Sequence, residues 1–282
     1  RGERFAFLGP NGAGKTTVIH MLTTRLLPTA GSASVGGADC VREPERVRER
    51  IGLVFQERTL DEQLTVEENL RFHATLHGVP RAQRAARVRE ALAMVGLEGR
   101  GRDTVSTLSA GLQRRLEVAR CLLHVPDVLF LDEPSLGLDP ASRARLWRDL
   151  REIQQRHGMT VFFTTHYLDE ADDADRIAII HEGRIVATGT PAELKARSGG
   201  CTLELQAPDA QAVLEELRAA GHVAQPGDAE GAVVVHLQDP AEAPAALRAV
   251  RSKVAGLRLR GPDLDDVFLR LTGRRLEADA RG

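Results

Sequence analysis

Cysteine is scarce: Cys40, Cys121 and Cys201 are the only three in 282 residues, and no two form a Cys-x-x-Cys pair. That argues against a disulfide framework or thiolate metal site and reads as three buried apolar side chains in a reducing compartment. Long apolar runs are also missing. None approaches the roughly 20 residues that a membrane-spanning helix needs, and there is no secretory signal, so the sequence reads as soluble or peripheral. A formal net charge of −2 gives no general electrostatic case for binding nucleic acid or an anionic membrane. No long repeat or low-complexity tract is visible. The chain starts at Arg1, almost at its first predicted strand, where a sheet of this kind is expected to have further strands upstream.

What is present is a complete phosphate-binding loop, Gly9-Pro10-Asn11-Gly12-Ala13-Gly14-Lys15-Thr16-Thr17. Glycine, four residues, then Gly-Lys-Thr has meaning only between a strand and a helix. Phe5–Leu8 supplies the strand and Val18–Leu22 the helix. Glycines let the backbone turn so that its N–H groups converge on phosphate oxygens, and the helix start adds a favourable field. Lys15 adds a charge at the β- and γ-phosphates, and the Thr16 hydroxyl is placed for Mg²⁺. The loop predicts a nucleoside triphosphate ligand.

Apolar runs alternate with helical patterns to about residue 195, the mark of an α/β domain with a largely parallel sheet. Strands are expected at 5–8, 51–55, 128–131 and 160–164, and a hairpin at 178–187 around Glu182-Gly183. Between about 65 and 125 helical patterns dominate, with Leu64–Leu76 and Arg81–Val95 the clearest, which predicts a helical insert. After Ser198-Gly199-Gly200 the pattern becomes strand–helix–strand–helix–strand. It predicts a second, small α+β unit of ferredoxin-like type over 197–282, closed by a helix at Leu264–Leu271.

Two further segments carry chemistry. Val128–Leu131 runs into Asp132 and Glu133, a strand end of the kind that presents carboxylates to a ligand crevice; Asp132 suits hydrated Mg²⁺ and Glu133 the attacking water. Ser109 and Gly111 open a helix running to about Leu123, a capped start with accessible backbone that reads as a second anion-binding helix start. Taken alone, each is equally an acidic turn or an ordinary capped helix.

In this order and spacing the motifs resemble those of the ATP-binding subunit of an ABC transporter, over residues 1 to about 196. Gln56 resembles the family's lid glutamine, Leu108–Leu112 its signature and Asp132–Glu133 its second nucleotide motif. Ser135–Asp139 resembles the dimer loop, and His166 the switch histidine. The resemblance implies ATP hydrolysis in a head-to-tail homodimer holding two Mg-ATP, each site pairing one phosphate loop with the other chain's Ser109 and Gly111. Gln56 would meet Mg²⁺ and water, His166 the γ-phosphate, and Asp139 would lie in the dimer loop beside the nucleotide. It also implies a separate integral-membrane permease and a place on the cytoplasmic face of the membrane. Ala110 and Leu112 depart from the family's usual glycine and glutamine, and the aromatic residue that stacks on adenine would lie upstream of Arg1. Leu64–His73, Gly137–Pro140 and Asp263–Gly273 further resemble the exporter branch of daunorubicin-type drug resistance, with the 197–282 unit expected in dimerisation or regulation.

Other signals read as ordinary surface or core. His73 and His77 lie four apart without a third metal ligand. Arg81, Arg84, Arg87 and Arg89 have no interleaved aromatics and read as a solvated helix face, not a nucleic-acid site. Asp172, Asp173 and Asp175 read as an acidic turn. Two alternatives stay open: a soluble ABC ATPase acting on nucleic acid or the ribosome, and a truncated chain without activity.

Overall fold

The computed structural model describes residues 1–227, 229–274 and 276. The polypeptide divides into two units, Arg1–Thr188 and Gly189–Gly282.

In the first unit the strands are β1 (Arg4–Leu8), β2 (Ser34–Val35), β3 (Ala38–Asp39), β4 (Ile51–Val54), β5 (Val128–Asp132), β6 (Thr160–Thr165), β7 (Arg176–His181) and β8 (Arg184–Gly189). The helices are α1 (Lys15–Leu22), α2 (Pro44–Arg48), α3 (Val66–Leu76), α4 (Arg81–Met94), α5 (Ala110–Leu122), α6 (Pro140–His157) and α7 (Leu168–Asp172). The main sheet runs in the order β4-β5-β6-β1-β7-β8, and its first five strands are parallel. The hairpin lies between β7 and β8, where Glu182 and Gly183 adopt φ of 50° and 75°, the double left-handed turn that a tight hairpin needs.

Parallel strands covered on both faces are apolar along most of their length. Ala6, Leu8, Leu129, Leu131, Val161 and Ile177 are fully enclosed. On one face Phe162 sits within 5.4–5.8 Å of Phe5, Phe7 and Phe130, so one ring locks β1, β6 and β5 together. The register pairs Leu8 with Thr165 and Asp132 with Thr164. The carboxyl ends of three neighbouring strands therefore finish side by side, the crevice where open parallel sheets bind ligands.

The helical insert is built from α3, α4 and α5, which pack on one another. Thr65 and Glu68 form a reciprocal capping box that starts α3, and Gly78 at φ 68° ends the turn that follows it. The structure also has the hairpin β2–β3 and the helices α2 and α6, which the sequence pattern did not announce.

The second unit contains α8 (Pro191–Ser198), β9 (Cys201–Gln206), α9 (Ala210–Ala219), β10 (Val223–Pro226), β11 (Ala232–Leu237), α10 (Ala243–Ala249), β12 (Gly256–Arg260) and α11 (Leu264–Thr272). Its sheet order, β10-β11-β9-β12, is antiparallel throughout. The short strand β10 completes the βαββαβ sequence of a ferredoxin-like unit. Leu203, Leu205, Val233 and Val235 meet Val213 and Leu217 of α9 in its core. α11 packs on α8 and buries Leu264, Val267 and Phe268.

Candidate functional site

β1 delivers the chain into the phosphate loop at Gly9, whose N–H donates to the Thr165 carbonyl at 3.3 Å. A Cβ here would lie 2.4 Å from the Ile180 carbonyl oxygen, so no other residue fits. Gly12 and Gly14 take φ of 78° and 103°, the left-handed region that glycine tolerates. Gly14 is the N-cap of α1 and supplies no side-chain acceptor, and the first turn has no acid, so the helix start is left for an anion. Ala13 is pinned by its N–H to Pro10 and by its carbonyl to Gly183.

Lys15 is buried and folded back over the loop. Its Nζ donates to the Gly9 and Pro10 carbonyls at 2.8 and 3.1 Å and pairs with Glu133 Oε1 at 3.0 Å. Asp132 and Glu133 are held by one hydroxyl: Thr164 Oγ1 donates to Asp132 Oδ1 at 2.6 Å and accepts from the Glu133 N–H at 2.9 Å. Glu133 itself sits at φ 44°, a conformation costing about 1–3 kcal/mol that survives where surrounding contacts over-determine it. Its second oxygen lies 3.4 Å from His166 Nδ1, within ion-pair reach although the nitrogen makes no directed hydrogen bond. Burial alone would raise the Glu133 pKa; the approach of His166 and the Lys15 charge outweigh it and hold the carboxyl below its usual range.

Asn11, Gly12, Thr16, Thr17, Gln56 and Glu133 line one open cavity of about 340 Å³ with Lys15 at its base. The loop, Gln56, the carboxylate pair and His166 thus meet at the ends of β1, β4, β5 and β6. Among the described residues no three His, Cys, Asp or Glu side chains form a metal cage. Mg²⁺ carried on phosphates needs only one or two protein oxygens, and the Thr16 hydroxyl, Gln56 amide and Asp132 carboxylate fit that hard-oxygen requirement.

Ser109, Gly111 and Asp139 do not line this cavity. Ser109 caps α5, accepting from the Leu112 N–H at 3.4 Å, and Asp139 caps α6, accepting from Ser142 N–H at 3.0 Å. Gly111 is buried against α6, where a Cβ would fall 2.5 Å from Ser142 Oγ, so its missing side chain answers a packing demand.

Three features escaped the sequence reading. Thr164 is one. The second is the buried pair Arg114–Glu117 at 2.9 Å: Arg114 donates to the carbonyls of Phe55 and Gln56, and Glu117 accepts from the Thr59 N–H. Together they fasten the segment carrying Gln56 to α5. Their three-residue spacing on a helix was the available signal. The third is Glu170, a carboxylate buried on α7.

The signals read as ordinary surface acquire partners. Asp173 pairs with Arg151, Asp175 with Arg4, and Arg87 with Glu90. His77 stacks on His124 with ring centroids 4.3 Å apart. His73, His77, His124, Arg25, Arg48 and Arg120 line a cavity of about 390 Å³, and among the described residues no carboxylate does.

The profile of the ABC transporter family matches residues 1–136. Over 97% of its length the chain is 41% identical to the daunorubicin resistance ATP-binding protein DrrA3 of Streptomyces coeruleorubidus, covering 88% of that protein. It is 40% identical to the Nod factor export ATP-binding protein I of Burkholderia lata, covering 98% of this chain and 90% of that one. Among solved structures, cbiO1 of Clostridium perfringens, part of the ABC transporter complex cbiONQ, superposes with a TM-score of 0.65 at 33% identity. That match covers 70% of this chain and 80% of the other.

Proposed function

Because this chain belongs to the ABC transporter family, as an ATP-binding and ATP-hydrolysing subunit of the drug-resistance and export type, we propose that it pairs with a second copy around two Mg-ATP and drives a separate membrane permease. In this reading the exported molecule is a drug or another hydrophobic compound; the relatives are named for daunorubicin resistance and Nod factor export. The observation that carries the pairing is the division of the phosphate-directed groups. Lys15, Thr16, Gln56 and Glu133 line one cleft, with His166 Nδ1 3.4 Å from Glu133, while Ser109 and Gly111 neither line it nor pair with a residue that does.

ATP places its β- and γ-phosphates on the loop N–H groups and Lys15. The γ-phosphate competes for Lys15, which releases Glu133 Oε1 to accept a hydrogen bond from water. Water attacks the γ-phosphorus, the bond to the β-phosphate oxygen breaks, and ADP and phosphate leave; Glu133 orients the water and takes its proton. His166, against the other Glu133 oxygen, bridges to the γ-phosphate. Thr16, Gln56 and Asp132 would hold Mg²⁺ with the nucleotide, where the ion would supply neutralisation of the phosphate charge. Ser109 and Gly111 of the second copy close the site, so catalysis is mainly positioning and charge neutralisation.

Among the described residues no helix is long and apolar enough to cross a membrane. A peripheral subunit on the cytoplasmic face meets its permease through a surface, and exposed Phe72 and Leu76 on α3 lie beside the groove lined by His73, His77 and the cations Arg25, Arg48 and Arg120. The test is fractionation of native membranes. Recovery of the chain with a polytopic membrane protein, with turnover stimulated by a hydrophobic export substrate, is expected. Recovery with ribosomes or nucleic acid instead contradicts the proposal.

A further inference from the structure

Glu170, on the short helix α7, is a buried carboxylate that the hydrolytic scheme leaves without a task. Its Oε1 accepts from the hydroxyl of Ser135, and its Oε2 from Thr165 Oγ1 at 2.6 Å. Arg143 Nε lies 3.9 Å from Oε1, too far for a hydrogen bond but near enough for charge attraction, and its guanidinium covers the Tyr167 ring at 4.1 Å. Thr165 Oγ1 accepts in turn from the Tyr167 N–H at 2.9 Å, so the backbone on both sides of His166 is tied to this oxygen.

Ser135 begins the segment that ends at the Asp139 cap. Leu136 N–H donates to the Glu133 carbonyl and Leu138 N–H to the Ser135 carbonyl, so the segment is continuous with Glu133. We propose that Glu170 is a positioning residue that locks His166 and the 135–139 loop into one unit. The loop and the histidine cannot then shift independently without leaving a buried carboxylate or hydroxyl unpaired, which is costly. Glu170 does not line the nucleotide cavity, and its effect on hydrolysis passes through His166 and the loop.

The proposal rests on the assignment of Glu133 and His166 to hydrolysis, and the test separates the two. Steady-state ATP turnover, fluorescent-nucleotide affinity and thermal midpoint are measured on the full chain carrying Glu170→Gln, Thr165→Val, Thr165→Ser, Glu133→Gln or His166→Ala. Glu170→Gln keeps one acceptor oxygen and the shape. It is expected to lower kcat about tenfold or more, with nucleotide affinity changed by less than about twofold. Thr165→Val should do the same, Thr165→Ser should retain turnover, and Glu170→Gln with Thr165→Val should be no slower than the slower single variant. Wild-type kcat in Glu170→Gln, or kcat, affinity and midpoint falling together, overturns the proposal. So does equal loss in the serine and valine variants. If Glu133→Gln and His166→Ala keep wild-type turnover, the hydrolytic assignment fails and takes this proposal with it. If they lose turnover while Glu170→Gln keeps it, only this proposal fails.

Discussion

The starts of α1 and α5 are both predicted anion sites, yet they are built in opposite ways. At α1 the N-cap is a left-handed glycine with no side-chain acceptor, and the neighbouring ammonium of Lys15 is already buried and aimed. At α5 the N-cap serine satisfies its own helix through a 3.4 Å bond, and the following glycine is spent on packing against Ser142. One start is organised for a ligand within its own chain. The other is stable without one and stands outside the cleft. A helix N-terminus alone therefore says little about binding; the uncapped donors and converging charge at α1 are what mark a site.

Several experiments would sharpen or break this contrast. The largest effect is expected at the cleft: Glu133→Gln should reduce turnover by about 10²–10⁴-fold while nucleotide binding persists, as measured by single-turnover kinetics beside equilibrium binding. Lys15→Ala should weaken ATP binding by about 100-fold or more, because truncation removes the buried positive charge that meets the β- and γ-phosphates; undiminished affinity would discredit the phosphate loop. Ser109→Ala should behave differently, cutting turnover about tenfold and stability by about 1 kcal/mol through the lost cap, with ATP affinity of the isolated chain unchanged. An affinity loss there like that of Lys15→Ala would erase the distinction between the two helix starts.

The smallest effect concerns the far end of α5. Burial, with Arg120 nearby, pushes His73 down to about 4, and burial shifts His77 and His124 in the same direction. Groups held neutral in the fold protonate more readily when unfolded. Their stabilising share is therefore complete above about pH 6.5 and is lost as pH falls towards 4. Thermal midpoints across that window should drop for the wild type and drop less for His73→Gln. Parallel curves would show that the groove histidines do not sense pH.

The legible parts of this molecule are those where chemistry is contiguous. The phosphate loop, Asp132–Glu133 and the apolar parallel strands each occupy a short stretch whose pattern carries its own explanation. Thr164, Arg114 and Glu170 were not legible because each acts across the fold. Thr164 reaches Asp132 and Glu133 from the adjacent strand, Arg114 reaches Phe55 and Gln56, and Glu170 reaches Ser135. In sequence, a buried charge on a helix looks like a solvated one. Short or polar elements were hidden for a different reason. β10 has four residues and ends in Pro226, and α6 buries only Leu146, Asp149, Leu150 and Ile153 among its charged residues. The sequence pattern points to a ferredoxin-like unit without β10, and that strand at the sheet edge completes its order.

The most direct test of the shared site is the solution mass of Glu133→Gln, by size exclusion with light scattering, with and without Mg-ATP. The account predicts a monomer that becomes a dimer when Mg-ATP is added. A mass that does not change with nucleotide, whether monomeric or dimeric, would contradict it.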